Sequence, residues 1–282
     1  MVQMHDKNSG FPNEKSRERY LATYEALLDW PVPHTELTVD TPYGATHVRR
    51  CGDGPPVVLL HGAASTSLMW QSRVADLAAR FTVHAVDTLG EAGRSVQTVP
   101  MPDARSHAEW LDAVLAGLGL DSAALVGVSR GGWLALNQAA HAPARVTAVT
   151  AFDPGGFAPT TWRTYRWMIV GLLLSLSPRG VRKRFADSRR YGAFVDETAR
   201  KLVLAQLPFR PNGFVMSTFT DAELVAITVP TTVVLGGQSP LHDAAAVADR
   251  VRAVNPAIRV EVAPAVGHGG ELLDADLLGR YV

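Results

Sequence analysis

Hydrophobic and polar positions alternate along the chain between short apolar runs and longer amphipathic stretches. The short runs are rich in valine, leucine and alanine and end at glycine, proline, aspartate or asparagine, which is typical of buried strands. Amphipathic stretches of helical periodicity separate many of these runs. The predicted strands span residues 37–40, 45–50, 57–60, 82–86, 124–128, 146–152, 232–235 and 259–262, and the predicted helices span residues 68–79, 104–118, 132–141 and 244–254.

This alternation predicts the α/β class, with a mostly parallel, eight-stranded twisted sheet and helices on both of its faces. The first two strands are joined by Thr41-Pro42-Tyr43-Gly44, a turn signal that predicts an antiparallel hairpin at the sheet edge. Residues 1–12 precede the first of these elements and are predicted to form a flexible tail.

The alternation breaks after the sixth predicted strand. The following segment contains helix-like stretches and many aromatic residues but no clear strand. We therefore predict a helical cap at residues 155–229, inserted into an α/β core formed by residues 13–154 and 230–282. An apolar run at 167–176 is too short to span a bilayer, which needs about 20 residues, so it is predicted to be a buried or pocket-lining helix.

Composition narrows the classes of partner. The 282 residues are 47% hydrophobic and 19% charged, which fits one large domain or one domain with an inserted cap. The 27 basic residues balance 27 acidic ones, so no overall field would gather nucleic acid. The single cysteine, Cys51, excludes an internal disulfide, and the polar N-terminus lacks the apolar core of a signal peptide. These features predict a cytoplasmic protein without membrane insertion.

One glycine-rich turn has the strongest catalytic signal. The motif Gly127-Val128-Ser129-Arg130-Gly131 follows an apolar strand and opens a helix. A sharp strand-to-helix turn strains the residue at its apex, and neighbouring glycines let the chain close around that residue. The serine oxygen is then exposed at the carboxyl edge of the sheet, next to the free N–H groups of a helix N-terminus. In this context the motif predicts that Ser129 is a nucleophile.

The order of several motifs resembles that of the α/β-hydrolase fold family. From about residue 30 to residue 279, the chain most resembles the bacterial carboxylesterase-type members, which have a Val-Asp-Thr-(Ile/Leu)-Gly signature after the fourth strand. The resemblance implies a serine nucleophile, but the family hosts many chemistries, so the substrate does not follow from it. The matching segments are Pro31-Val32-Pro33, His61-Gly62-Ala63-Ala64-Ser65, Ala85-Val86-Asp87-Thr88-Leu89-Gly90, Gly127-Val128-Ser129-Arg130-Gly131-Gly132 and Ala265-Val266-Gly267-His268.

The resemblance also implies a base and an oxyanion hole. The catalytic histidine of the family lies in a Gly-His loop after the last strand, which corresponds to His268, and a serine hydroxyl needs such a base within hydrogen-bond reach. The backbone N–H groups of Ala63 and Arg130 correspond to the two oxyanion donors. His61 is expected to orient its loop rather than act as a second base, and Asp87 is expected to be structural.

The acid position departs from the family pattern. The orienting carboxylate usually lies just after the seventh strand, but Ser239 occupies that position and cannot stabilise an imidazolium through charge. Asp153, at the end of the sixth strand, is the first alternative, because some relatives such as the haloalkane dehalogenases keep their acid there. Asp243 is the second alternative, with helix capping as its structural role. The third alternative is that no acid is present.

We therefore expect a serine hydrolase that cleaves a carboxylic ester, lactone or thioester of a hydrophobic small molecule through an acyl-enzyme. Its expected catalytic residues are Ser129, His268 and Asp153, with Asp243 as the alternative acid. The aromatic, apolar cap favours a hydrophobic substrate, and no metal or organic cofactor is expected. The alternatives are non-hydrolytic or carbon–carbon bond chemistry on the same fold, such as acyl transfer or cyclisation, and a catalytically silent binding protein.

Overall fold

The computed structural model of the protein describes residues 9–159, 161–184, 197–211, 216–268 and 275–282. Its strands are β1 (His34–Thr41), β2 (Gly44–Cys51), β3 (Pro56–Leu60), β4 (Thr82–Val86), β5 (Val96–Gln97), β6 (Ala123–Val128), β7 (Val146–Phe152), β8 (Thr231–Gly236) and β9 (Arg259–Ala263). They form one sheet in the order β1-β2-β4-β3-β6-β7-β8-β9, and the short strand β5 pairs with β2.

The predicted hairpin at the sheet edge consists of β1 and β2, which pair antiparallel from His34 with Cys51 to Thr41 with Gly44. Strand β2 also runs antiparallel to β4, and the pairs from β4–β3 across to β8–β9 are parallel. The predicted α/β fold with a mostly parallel sheet is therefore confirmed. Each of the eight predicted strands is present, and β5 is an addition at the edge.

Strand β3 shows why the interior strands are apolar throughout. Val58 and Leu60 belong to the hydrophobic cluster on one face of the sheet, and Val57 and Leu59 belong to the cluster on the other. All four side chains are fully buried. Neighbouring residues of a strand face opposite sides, so a strand that is covered on both faces needs an unbroken apolar run.

Helices lie on both faces of this sheet. The helix predicted over 68–79 is present in two pieces, because Arg73 between them has φ −125° and leaves helical geometry. Helix α1 was not predicted, since Tyr20 and Tyr24 are the only residues that it buries completely. The helices within the described residues are α1 (Glu14–Leu27), a 3₁₀ turn (Ser67–Trp70), α2 (Val74–Ala78), α3 (Ala104–Gly117), α4 (Arg130–His141), a second, shorter 3₁₀ element (Pro143–Arg145), α5 (Trp162–Leu176), α6 (Arg179–Lys183), α7 (Glu197–Ala205), α8 (Asp221–Ala226), α9 (Ala244–Val254) and α10 (Ala275–Tyr281).

Helix α5 contains the apolar run at 167–176, which was predicted to be a buried or pocket-lining helix, and the buried alternative is wrong for its outer face. Ile169 is 51% exposed and Leu173 is 61% exposed, whereas the buried positions include Thr164 and Gly171. Hydrophobicity along α5 therefore does not mark its buried side. No helix within the described residues is long and apolar enough to cross a membrane.

The start of the described chain contacts other parts of the molecule. Gly10 forms a β-bridge with Arg210, and the ring of Phe11 lies 5.1 Å from that of Phe209. The Ser9 hydroxyl donates to Gln97 Oε1 at 2.8 Å. A flexible tail thus stays a prediction for residues 1–8, which lie outside the described residues.

Candidate active site

Ser129 lies at the turn between β6 and α4. Its backbone has φ 55° and ψ −114°, a conformation that costs energy for a residue with a Cβ. The Ser129 N–H donates to the Phe152 carbonyl oxygen at 2.9 Å, and the Gly155 N–H donates to the Ser129 carbonyl oxygen at 3.2 Å. The end of β7 therefore stabilises the strained turn from both sides of the serine.

Two glycines of the turn are required by close approach of the backbone. A Cβ on Gly127 would lie 2.2 Å from the Gly131 carbonyl carbon, and a Cβ on Gly131 would lie 2.1 Å from the Leu60 carbonyl oxygen. Rotation of a side chain could not relieve either contact, because the nearest atoms are backbone atoms. The glycines that flank the serine motif thus reflect the meeting of β3, β6 and α4.

Three side chains from separate loops form a continuous hydrogen-bonded line. His268, in the loop after β9, has Nε2 3.0 Å from Ser129 Oγ and Nδ1 2.5 Å from Asp153 Oδ2. These loops follow β6, β7 and β9, so all three side chains meet at the carboxyl edge of the sheet. With Nδ1–H donating to the carboxylate, Nε2 is the nitrogen that can accept the serine proton.

Asp153 is completely buried, but its surroundings favour the ionised carboxylate. Burial acts to raise the pKa of its carboxyl, but His242, whose Nε2 lies 3.0 Å from Oδ1, and the hydrogen bond from His268 outweigh this effect and hold the pKa well below its usual range. The backbone of Asp153 has φ 42°, and its N–H donates to the Val234 carbonyl oxygen at 2.7 Å. Strand β8 therefore positions the aspartate.

The other candidates for the acid have different contacts. Asp243 Oδ1 accepts from the N–H groups of Ala245 and Ala246 at 3.0 and 3.2 Å, so this residue caps α9. The Ser239 hydroxyl accepts from the Leu241 N–H at 3.1 Å. The structure therefore brings Asp153, and not Asp243, to His268.

The loop after β3 lies beside the nucleophile. A Cβ added to Gly62 would lie 3.5 Å from the Ser129 Cβ. His61 is buried, its Nε2 accepts from the Thr88 N–H at 2.9 Å, and its Nδ1 lies 2.8 Å from the Gly62 carbonyl oxygen. Burial lowers the pKa of His61. A neutral ring with both nitrogens bonded to backbone fits the expected role of orienting this loop.

Glu91 links the two segments that contain the expected oxyanion donors. Its Oε2 accepts from the Ala64 N–H at 3.1 Å, and its Oε1 lies 3.4 Å from Arg130 Nε. From the residue that follows α7, Gln206 Nε2 donates to the Ala64 carbonyl oxygen at 2.8 Å. The sequence feature that could have pointed to Glu91 is its position directly after the Val-Asp-Thr-Leu-Gly signature. No sequence feature pointed to Gln206.

Asp87 of that signature is structural, as expected. Its carboxylate accepts from the Ser67 N–H at 2.8 Å, the Arg94 N–H at 2.9 Å and the Tyr24 hydroxyl at 3.1 Å. Asp87 is completely buried. It therefore joins α1, the 3₁₀ turn and the loop after β4 behind the site.

Sequence reasoning missed two aromatic side chains at the site. The ring of Trp167, from α5, lies edge-on to that of His268 with 5.4 Å between centroids. His242 Nε2 lies 3.0 Å from Asp153 Oδ1, and His242 also lines a cavity of about 390 Å³ with Arg163. The available signal for His242 is its position, three residues after the serine at the expected acid position.

Comparison with known proteins gives consistent matches over most of the chain. Residues 57–278 match the sequence profile of the Alpha/beta hydrolase family. The chain is 30% identical over 260 residues to the uncharacterized carboxylesterase nap of Bacillus subtilis, covering 89% of this chain and 86% of that protein. It is 28% identical over 277 residues to carboxylesterase YbfK of the same organism, covering 92% of this chain and 90% of that protein.

Solved structures agree with these matches. The crystal structure of carboxylesterase CesB (YbfK) from Bacillus subtilis has a TM-score of 0.81 at 25% identity, covering 94% of this chain and 96% of that one. The naproxen esterase (carboxylesterase NP) of Bacillus subtilis has a TM-score of 0.81 at 27% identity, covering 93% of this chain and 95% of that one. The resemblance expected from the motifs is confirmed, and the chain belongs to the alpha/beta hydrolase family.

Proposed function

We propose that this protein is a serine carboxylesterase that hydrolyses esters of hydrophobic small molecules through an acyl-enzyme. The observation that supports this most directly is the line from Ser129 Oγ through His268 to Asp153, with distances of 3.0 and 2.5 Å. The relatives named carboxylesterases match most of the chain. Acyl transfer, cyclisation and a silent binding role are therefore not favoured.

In this proposal, Ser129 Oγ attacks the ester carbonyl carbon while His268 Nε2 accepts the hydroxyl proton. The carbonyl oxygen becomes an oxyanion and accepts hydrogen bonds from the N–H groups of Ala63 and Arg130. The His268 imidazolium, stabilised by Asp153, then gives its proton to the leaving alcohol. A water molecule activated by His268 hydrolyses the acyl-enzyme and restores Ser129.

The substrate class in the proposal is an ester, lactone or thioester with an apolar acyl or alcohol group. Trp167 lies against His268, so the chemistry takes place beside an aromatic surface. A related structure is named naproxen esterase, which also favours an apolar substrate. A cytoplasmic location belongs to the proposal as well, supported by a buried single cysteine that needs no oxidising compartment.

The nucleophile is tested with p-nitrophenyl acyl esters of increasing chain length. We expect turnover by the parent protein, none above background by Ser129→Ala, and labelling of Ser129 by a fluorophosphonate probe identified by peptide mass. Ser129→Ala with parental turnover would rule out the acyl-enzyme.

The acid is tested with a matched pair of aspartates. Asp153→Asn should lower kcat by about ten thousandfold, the loss typical of a triad aspartate. Asp243→Asn should keep parental kcat, because Asp243 caps α9. The assignment would be wrong if Asp243→Asn, rather than Asp153→Asn, lost its activity.

A further inference from the structure

The Asp153 carboxylate makes a contact that a Ser–His–Asp arrangement does not require. Its Oδ2 faces His268 at 2.5 Å, while its Oδ1 lies 3.0 Å from Nε2 of a second histidine, His242. The Gly236 N–H also donates to Oδ1, at 3.0 Å. Two imidazoles therefore share one carboxylate, and each contacts a different oxygen.

Both partners of this second contact are buried. Asp153 has no exposed surface, and the His242 side chain is 2% exposed. A buried carboxylate stays ionised only when donors satisfy its oxygens, because desolvation favours the protonated form. Burial raises the pKa of Asp153, and the largest of the opposing contributions comes from His242, whose Nε2 lies 3.0 Å from Asp153 Oδ1.

The loop that contains His242 is attached to the cap. Arg163 Nη2 donates to the Ser239 carbonyl oxygen at 2.8 Å, and Thr164 Oγ1 donates to the Pro240 carbonyl oxygen at 3.2 Å. The Ser239 hydroxyl closes the turn by accepting from the Leu241 N–H. The segment in which a carboxylate was expected thus supplies a histidine to the carboxylate of the neighbouring strand.

We propose that His242 is a positioning residue that fixes the Asp153 carboxylate through Oδ1, so that Oδ2 stays aligned with His268. This inference rests on the proposed function, because the alignment matters only where His268 acts as the base. A carboxylate with one oxygen unrestrained can rotate about its Cβ–Cγ bond, and this rotation moves Oδ2 away from the His268 N–H. The donors at Gly236 and His242 oppose the rotation from two directions.

Substitutions at 242 test the contact between this side chain and the Asp153 carboxylate. Glutamine places its amide nitrogen near the position of histidine Nε2, asparagine reaches only as far as Nδ1, and phenylalanine keeps a ring without a donor. We expect His242→Phe and His242→Asn to lower kcat by up to about a hundredfold, the cost of misplacing a catalytic group, with KM little changed. His242→Gln should keep most of the parental kcat.

The measurements are kcat and KM on a p-nitrophenyl ester from acid to alkaline pH, with thermal unfolding of each variant. The control is His84→Gln, which replaces a buried histidine within β4 and should leave kcat and the pH profile unchanged. Parental kcat in folded His242→Phe, or equal loss in His242→Gln and His242→Asn, would overturn the inference. If His242→Phe does not fold, the glutamine and asparagine variants decide.

Ser129→Ala in the same assay separates this inference from the proposed function. Turnover by Ser129→Ala would reject the function itself, whatever the variants at 242 do. Inactive Ser129→Ala together with parental kcat and pH profile in all variants at 242 would reject only the role of His242.

Discussion

Helices α4 and α5 both reach the candidate active site, but the large apolar side chains of α4 are buried, whereas most of those of α5 are exposed. In α4, Trp133, Leu134 and Leu136 are completely or almost completely buried in the core. Helix α5 buries Thr164, Gly171 and Ser175 together with Leu174, and it exposes Tyr165, Ile169, Leu172 and Leu173.

This difference shows that the apolar residues of α5 do not build the core. Its inner face instead holds the loop of His242, through the hydrogen bonds of Arg163 and Thr164. Changes in α4 and its surroundings should therefore alter folding and activity together. Changes on the outer face of α5 should leave the free energy of unfolding almost unchanged.

The largest effect is expected at the turn that opens α4. Gly131→Ala would place a Cβ 2.1 Å from the Leu60 carbonyl oxygen, so the backbone around Ser129 must shift. We expect ester hydrolysis to fall by at least about a hundredfold, since a displacement near 1 Å has that cost, and Tm to fall. The control is Gly180→Ala in α6, where an added Cβ meets open space. Equal activity and Tm in the two variants would contradict the comparison.

The second-largest effect is expected on the free energy of unfolding, from substitutions within α4 and α5. Trp133→Ala in α4 should lower the free energy of unfolding by about 3–5 kcal/mol, the usual range for a buried aromatic residue. Leu173→Ala in α5 should change it by less than about 0.5 kcal/mol, as is typical of surface positions. Urea denaturation measures both. A loss for Leu173→Ala as large as that for Trp133→Ala would mean that the outer face of α5 is covered.

The free energy of unfolding should depend on pH through Asp87, a carboxylate that is buried in the core. Burial raises the pKa of Asp87, but the nearby His47, whose Nδ1 lies 3.6 Å from Asp87 Oδ2, and the Arg94 N–H hold that pKa well below its usual range. Because the folded-state pKa is the lower one, the stabilisation is present above pH of about 4 and is lost as the pH falls through the folded-state value. Asp87→Asn should reduce the free energy of unfolding at neutral pH by about 1–3 kcal/mol and flatten its decline in acid.

Glu197 of α7 is an exposed carboxylate that serves as the control for the buried Asp87. A hydrogen bond from Arg200 lowers the pKa of Glu197, but the group is exposed, so water and salt screen the interaction. Glu197→Gln should leave the curve of Tm against pH unchanged. If the decline of Tm in acid became less steep in Glu197→Gln and not in Asp87→Asn, then Glu197, and not Asp87, would be the source of the pH dependence.

The smallest effect is expected where Gln206 meets the loop after β3. Gln206→Ala removes one hydrogen bond to the Ala64 carbonyl oxygen, worth about 1 kcal/mol. We expect kcat to fall by roughly fivefold, with Tm lowered by no more than about 2–4 °C. The control is Leu207→Ala, at an exposed neighbouring position, which should keep parental kcat. A drop in Tm without a change in kcat would show that Gln206 serves folding instead.

Ser129 and His268 could be singled out as the candidate nucleophile and base because each lies in a local motif. Ser129 sits between glycines that the close backbone approach demands, and His268 follows a glycine in the loop after the last strand. The acid was left among three alternatives, because Asp153 and Asp243 both follow a strand or open a helix. Their local sequences do not show which of the two contacts His268, which is distant in the sequence.

By itself, the sequence determined the strands, the parallel sheet and the strained turn of Ser129, because these depend on apolar runs and glycines that act over a few residues. Only the tertiary structure decided that Asp153 meets His268, 115 residues away, and that His242 contacts the same carboxylate. These contacts arise from the order of strands in the sheet, which sets β7 beside β6 and β8. The outward face of α5 was likewise decided in three dimensions, because an apolar stripe does not specify which side of a helix finds a partner.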